Sequence, residues 1–155
     1  MTFRTDIPTE SVTGHAPTEE ELRTLREWFT HYDACAARGE TAKLAELAHF
    51  PLNLVTDDSS GTPWCGRWSR EQYLSVMGEV MGGGDDVAFE STRTPFFLGG
   101  SLAVVFTRST MTAAGVSYQL DYADILVRTT DGWRFQTMVQ SGWGEMMAQG
   151  EAAAS

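Results

Sequence analysis

The stretch SYQLDYADILV, residues 117–127, alternates polar and apolar side chains as a β-strand does. Successive side chains on a strand point to opposite faces, so Asp121 and Asp124, three residues apart, must face opposite ways. The even positions, Val116, Tyr118, Leu120, Tyr122, Asp124 and Leu126, carry the larger and more aromatic side chains, and this face is expected to meet the interior. The odd face holds Gln119 and Asp121, which prefer water. Asp124 is then a carboxylate among apolar neighbours. Burial of that kind raises a carboxyl pKa unless a donor compensates. Two readings stand open: a proton donor working near neutral pH, or a structural carboxylate that accepts a hydrogen bond from a Tyr, a Trp or a helix N-terminus.

Working outward, the chain before this strand is helical and the chain around it is strand and turn. Thr18 reads as an N-cap, followed by acidic residues at 19–21 that suit the positive end of a helix dipole. Leu22, Leu25, Phe29, Tyr32 and Ala36 then recur at helical spacing, and Gly39 ends the helix. A short helix over TAKLAELA follows, then strands at FPLNLV and TPWCGRW joined by the turn TDDSSG. Ser69 caps a third helix, REQYLSVMGEVM, which should stop at the glycines 82–84. From residue 85 onward three hairpin signals, LGGS, TAAG and TTDGW, separate four strands. Helices first and a long meander afterwards imply an α+β domain: a curled antiparallel sheet, forming a cone, with three N-terminal helices on its concave face. Residues 1–17 read as a loose arm, 18–146 as the single domain, and 147–155 as a frayed tail.

The 155 residues suffice for one domain with a substantial core. The net charge of −10, without a Lys/Arg cluster, argues against nucleic acid or an anionic membrane as partner. The first residues lack a basic start followed by an apolar core, so no signal peptide is expected. Cys35 and Cys65 form no metal-ligand spacing and read as reduced thiols of a cytoplasmic protein. The three histidines are scattered, so no metal site is expected. On the last strand Trp133, Phe135, Val139 and Trp143 share one parity, with Thr137 and Ser141 between them, and would form aromatic walls with occasional hydroxyls. The same pattern also describes an ordinary core. Gln140 could orient a ligand, though its parity points outward.

The order of elements, ending in DGWRF and GWGE, resembles the nuclear transport factor 2-like (cystatin-like α+β cone) superfamily over about residues 18–146. That superfamily includes ketosteroid isomerase, scytalone dehydratase, limonene epoxide hydrolase and the SnoaL-like polyketide cyclases. In YDACAARGE, Tyr32 stands eight residues before Glu40, similar to the oxyanion-hole Tyr of the isomerases. Asp124 stands eight before Gly132, similar to their late-strand Asp, which is kept protonated beside that Tyr. The resemblance thus implies that Tyr32 and Asp124 hold a developing oxyanion. The isomerase base would fall near Thr56, with Asp57 the nearest carboxylate. EWFTHYD, with Trp28, Tyr32 and Asp33, is similar to the first helix of scytalone dehydratase, which makes Asp33 the alternative base. The two sheet histidines of that dehydratase have no counterpart here. The Asp-Arg-Asp set of limonene epoxide hydrolase would find its echo in Arg108 and Asp124.

By this resemblance the chain would be a cofactor-independent isomerase, cyclase or lyase acting on a mostly apolar small molecule such as a polyketide- or steroid-like ketone, and a homodimer. Trp28, His49, Trp68, Phe135, Val139, Ser141 and Trp143 would shape its pocket. His49 reads better as a hydrogen-bonded structural residue than as part of the pocket mouth, and Trp68 reads either as lining the entrance or as simple packing. The other reading is a non-catalytic ligand-binding or dimerisation module of the same fold, motivated by Ile125 and Val127 on the outer face.

Overall fold

The computed structural model describes residues 1, 14–81 and 88–154. The elements run α1 (Glu19–Ala37), α2 (Thr41–Glu46), β1 (Ala48–Asp57), β2 (Pro63–Trp68), α3 (Arg70–Met81), β3 (Ala88–Gly99), β4 (Leu102–Ala113), β5 (Val116–Thr129), β6 (Gly132–Val139) and α4 (Gly144–Ala154). Thr18 caps α1 as a capping box: its hydroxyl accepts from the Glu21 N–H, while the Glu21 carboxylate accepts from the Thr18 N–H. Gly39, at φ 62°, takes the left-handed conformation just beyond the helix end. Ser69 and Gln72 form the equivalent reciprocal pair at the start of α3. The expected stop of that helix at residues 82–84, and most of the expected N-terminal arm, lie outside the described residues.

The sheet has six strands in the order β2-β1-β6-β5-β4-β3. All neighbours are antiparallel except β1 and β6, which run parallel because β1 precedes the meander and docks beside its last strand. This is an open, mixed α+β sheet. Its inner face carries the core. Leu25, Trp28 and Phe29 of α1 pack against Phe97, Trp133 and Phe135, with Leu52, Leu54 and Trp68 beneath α3. Trp68, Trp133 and Phe135 are each 2% exposed, and burying a side chain of that class contributes about 2–3 kcal/mol.

Two expectations fail here. The frayed tail expected at 147–155 is instead helical through Ala154. Met147 is fully buried and Trp68 Nε1 donates to Glu151 at 2.9 Å, so this segment closes the core. A Cβ at Gly144 would come within 2.9 Å of the Asp57–Asp58 backbone, which shows how closely α4 begins against the β1–β2 turn. The polar sequence AQGEAAAS had hidden this, because its small residues permit close packing without an apolar stripe.

The second failure is on β6. The register with β5 shifts between Ile125 and Leu126: Ile125 faces Thr137, but Leu126 faces Phe135. Gln136 is therefore a bulge residue, and the facing of side chains reverses across it. Trp133 and Phe135 point inward as expected, yet Met138 and not Val139 follows them onto the inner face, opposite Asp124. No helix among the described residues is long and apolar enough to cross a membrane.

Candidate active site

Asp124 is 4% exposed on the inner face of β5, in a cross-strand row with Val105 and Met138. Asp121 lies on the outer face, exposed, and accepts two hydrogen bonds from Arg108 at 2.9 and 3.1 Å. The face assignment drawn from residues 117–127 therefore holds at both aspartates. The expected pairing of Arg108 with Asp124 does not, because Arg108 stands directly opposite Asp121. Burial pushes the Asp124 carboxyl up to about 7, with the Arg93 charge pulling weakly the other way. Its Oδ1 is sealed from solvent and has no hydrogen-bond partner among the described residues. A carboxyl in this setting still carries its proton well above the pH at which an exposed aspartate loses it, and is about half protonated near pH 7.

The cavity beside it has a volume of about 220 Å³. α1 supplies Tyr32 and Asp33, α3 supplies Tyr73 and Met77, and the sheet supplies Ser91, Ser109, Tyr122 and Met138, with Gln140, Trp143 and Met146 beyond β6. Its walls are mostly apolar, with hydroxyls at intervals. A narrow crevice of about 20 Å³ reaches Asp124, and Tyr122, Met138, Gln140 and Trp143 line both crevice and cavity. Tyr32 stacks on Trp28, ring centroids 5.4 Å apart, and meets Phe135 edge-on at 5.8 Å. Its hydroxyl is held well above the ordinary tyrosine pKa, chiefly by burial and then by the Asp124 charge. Burial likewise raises Tyr73 and Tyr122. All three are therefore proton donors across the neutral range.

Asp33 sits where α1 meets β3. Arg93 donates to both of its oxygens at 2.6 Å, and the guanidinium lies over the Phe29 ring, 4.2 Å from its centroid. The Asp33 side chain is 39% exposed and that of Arg93 only 13%, so the pair forms a wall with its carboxylate toward solvent. A second, open groove of about 340 Å³, between α1 and β3, shares Asp33 and Ser91 with the cavity. Arg93, Tyr73, Tyr122 and Met138 were missed in the sequence, and Gln140, whose parity pointed outward, lines the cavity. Arg93 carried a readable signal: one parity of β3, Ser91, Arg93, Pro95 and Phe97, is continuous with the inner face.

Other expected site residues fall elsewhere. Trp28, Trp68 and Phe135 are buried core beside or behind the cavity. His49 is exposed. The Gln136 bulge turns Val139 outward, opposite Ala123 and Val55. Asp57 accepts from Ser141 Oγ at 2.6 Å and from the Gly142 N–H at 2.7 Å, which hold its carboxyl below the usual range. Asp57 and Ser141 thus meet each other at the β1–β2 end and not in the cavity, and Trp143 alone of the last group reaches it. Among the described residues no group of three His, Cys, Asp or Glu is placed to hold a metal ion.

This arrangement, a curled sheet around a pocket capped by helices, is also that of several solved structures. A provisionally assigned scytalone dehydratase from Novosphingobium aromaticivorans is 15% identical at a TM-score of 0.62, over 83% of this chain and 85% of that one. A provisionally assigned dehydratase of the NTF2-like family from Streptomyces avermitilis is 17% identical at a TM-score of 0.64, over 80% and 96%. A domain of unknown function with a cystatin-like fold from Nostoc punctiforme is 13% identical at a TM-score of 0.62, over 80% and 78%. No protein-family profile and no curated protein matches the sequence. The chain has the NTF2-like, cystatin-like α+β cone fold; at these identities the likeness is one of fold.

Proposed function

We propose that the chain is a cofactor-independent enzyme carrying out acid–base chemistry, whether isomerisation, cyclisation or elimination, on a compact and mostly apolar small molecule with a ketone or enol oxygen. The observation that carries this reading is Asp124, a buried carboxyl with a pKa raised to about 7 beside a mostly apolar cavity. In this role Tyr32 and Asp124 donate toward an oxygen that gains charge, in a site where exclusion of water strengthens each interaction. Asp33 is the carboxylate left to move the proton. Both of its oxygens are engaged by Arg93, so acting as base requires that pair to loosen. A cavity of about 220 Å³ is smaller than the roughly 300–1,000 Å³ usual for drug-sized ligands. That favours a one- or two-ring ketone over a steroid.

A panel of small cyclic ketones and enols tests the proposal, with turnover followed in the protein and in Asp124→Asn. Loss of a positioned acid should cut kcat by about 10²–10⁴-fold with KM changed only a few-fold. An unchanged rate would remove Asp124 from the mechanism.

A homodimer belongs to the same reading. Val55, Phe106 and Val139 lie on the outer sheet face and remain 38–39% exposed, an apolar surface suited to a second copy. The unpaired cysteines, Cys35 and Cys65, fit a cytoplasmic setting. A non-catalytic module with the same dimer face is the second reading, favoured if no ketone turns over while the dimer forms.

A further inference from the structure

The acid–base reading leaves Asp33 locked, because Arg93 donates to both of its oxygens at 2.6 Å. The two partners are unequally fixed. Arg93 lies over the Phe29 ring, 4.2 Å from its centroid, and its side chain is 13% exposed against 39% for Asp33. The cation is therefore the anchored member of the pair, and the carboxylate is the one free to turn away. What takes its place is set by the groove between α1 and β3. At about 340 Å³ this groove falls within the roughly 300–1,000 Å³ usual for small-molecule sites. Leu25, Phe29 and Pro95 give it apolar walls, while Arg26 and Arg93 set two guanidinium groups against the one lining carboxylate, Asp33. Arg26 is exposed and makes no ion pair among the described residues. In a chain of net charge −10, the groove is a locally positive place. A guanidinium fork receives any carboxylate through two parallel bonds, so a ligand carboxylate satisfies Arg93 as well as Asp33 does.

We propose that the substrate is an anionic ketone, a keto acid, whose carboxylate displaces Asp33 from Arg93. The ligand sits at the wall that groove and cavity share, formed by Asp33 and Ser91. Its carboxylate rests on Arg93, and its ring and carbonyl project into the cavity toward Tyr32. Arg26 draws the anion in. Asp33, once displaced, still borders the cavity and is free to take a proton, so binding of the correct substrate releases the base. A neutral ketone of the same size leaves the pair closed. The inference rests on the acid–base reading and adds to it the charge of the substrate and the residue, Arg93, that selects it.

Equilibrium binding to the full chain tests it by calorimetry, with 4-oxocyclohexanecarboxylate and its methyl ester as the probes. The acid should bind about tenfold more tightly than the ester, and the difference should shrink as salt is added. Asp33→Asn should tighten binding of the acid by about tenfold and leave the ester unchanged, because Arg93 then has no carboxylate to give up. A merely structural Asp33 would not produce that gain. Arg93→Met should erase the preference for the acid, and Arg26→Gln, at an exposed position, should lower it a few-fold. Equal affinities for acid and ester, no measurable binding of the acid, or an acid that binds no better to Asp33→Asn would overturn the proposal. Turnover decides the enzyme reading separately. Acid-selective binding without reaction removes that reading and leaves this inference standing, whereas turnover of neutral ketones with equal binding of acid and ester does the reverse.

Discussion

Replacing Asp124 by Asn should leave the protein unchanged in acid and stabilise it in base. The folded protein holds this carboxyl protonated to about pH 7, whereas in the unfolded chain it ionises near pH 4. Below pH 4 both states carry the proton and no ionisation penalty separates them. Between the two values the unfolded chain releases a proton that the folded one retains, so stability falls as pH rises and levels off above 7. A rise from 3.8 to about 7 corresponds to roughly 4 kcal/mol at ~1.4 kcal/mol per pKa unit. Local relaxation returns part of that, so about 2–4 kcal/mol is expected. Asn matches a protonated Asp in shape and in carrying both donor and acceptor, and it cannot ionise. Urea unfolding at pH 4 and pH 8 reads the difference between the two proteins, in which all other titrating groups cancel. The reasoning predicts a near-zero difference at pH 4 and Asn the more stable by about 2–4 kcal/mol at pH 8. The same difference at both pH values would refute it.

Arg93→Met should raise the pH at which Asp124 ionises, because the guanidinium charge lowers it. It should also cost about 1–2 kcal/mol through the half-open Asp33 pair and lost packing on Phe29, read by carboxyl infrared titration and denaturant unfolding. Thr18→Ala removes one half of the capping box of α1; about 1 kcal/mol, or about 2–4 °C in Tm, should be lost in a thermal melt. Phe106→Arg on the outer face should convert the proposed dimer to a monomer by light scattering.

The elements were legible where a local signal set them. Thr18, Ser69, the hairpin glycines and the alternation in residues 117–127 each specify structure within a few residues, and the helices-then-meander order followed from them. What was not legible depended on pairing. Parity on β6 is broken by the bulge at Gln136, which only the register with β5 reveals, so Val139 and Ser141 were assigned to the pocket while Met138 and Gln140 were left out. The parallel docking of β1 on β6 likewise depends on a partner distant in sequence. Asp124 was found because its face could be counted from its own strand. Arg93 was overlooked because a charged residue in a run of Ser and Thr reads as a solvent face until α1 covers it with Phe29 and Asp33. The α4 helix escaped notice because Trp68 and the β1–β2 turn, not its own sequence, hold it in place.

The central claim is that burial raises the Asp124 carboxyl to about 7, so that it stays protonated through the mildly acid range. Its most direct test is an infrared or carboxyl-NMR titration of the native protein, with Asp124→Asn as the assignment control. The account predicts a carboxyl signal that is absent from the variant and titrates near pH 7. A signal that titrates near pH 4, as an exposed aspartate does, would contradict it.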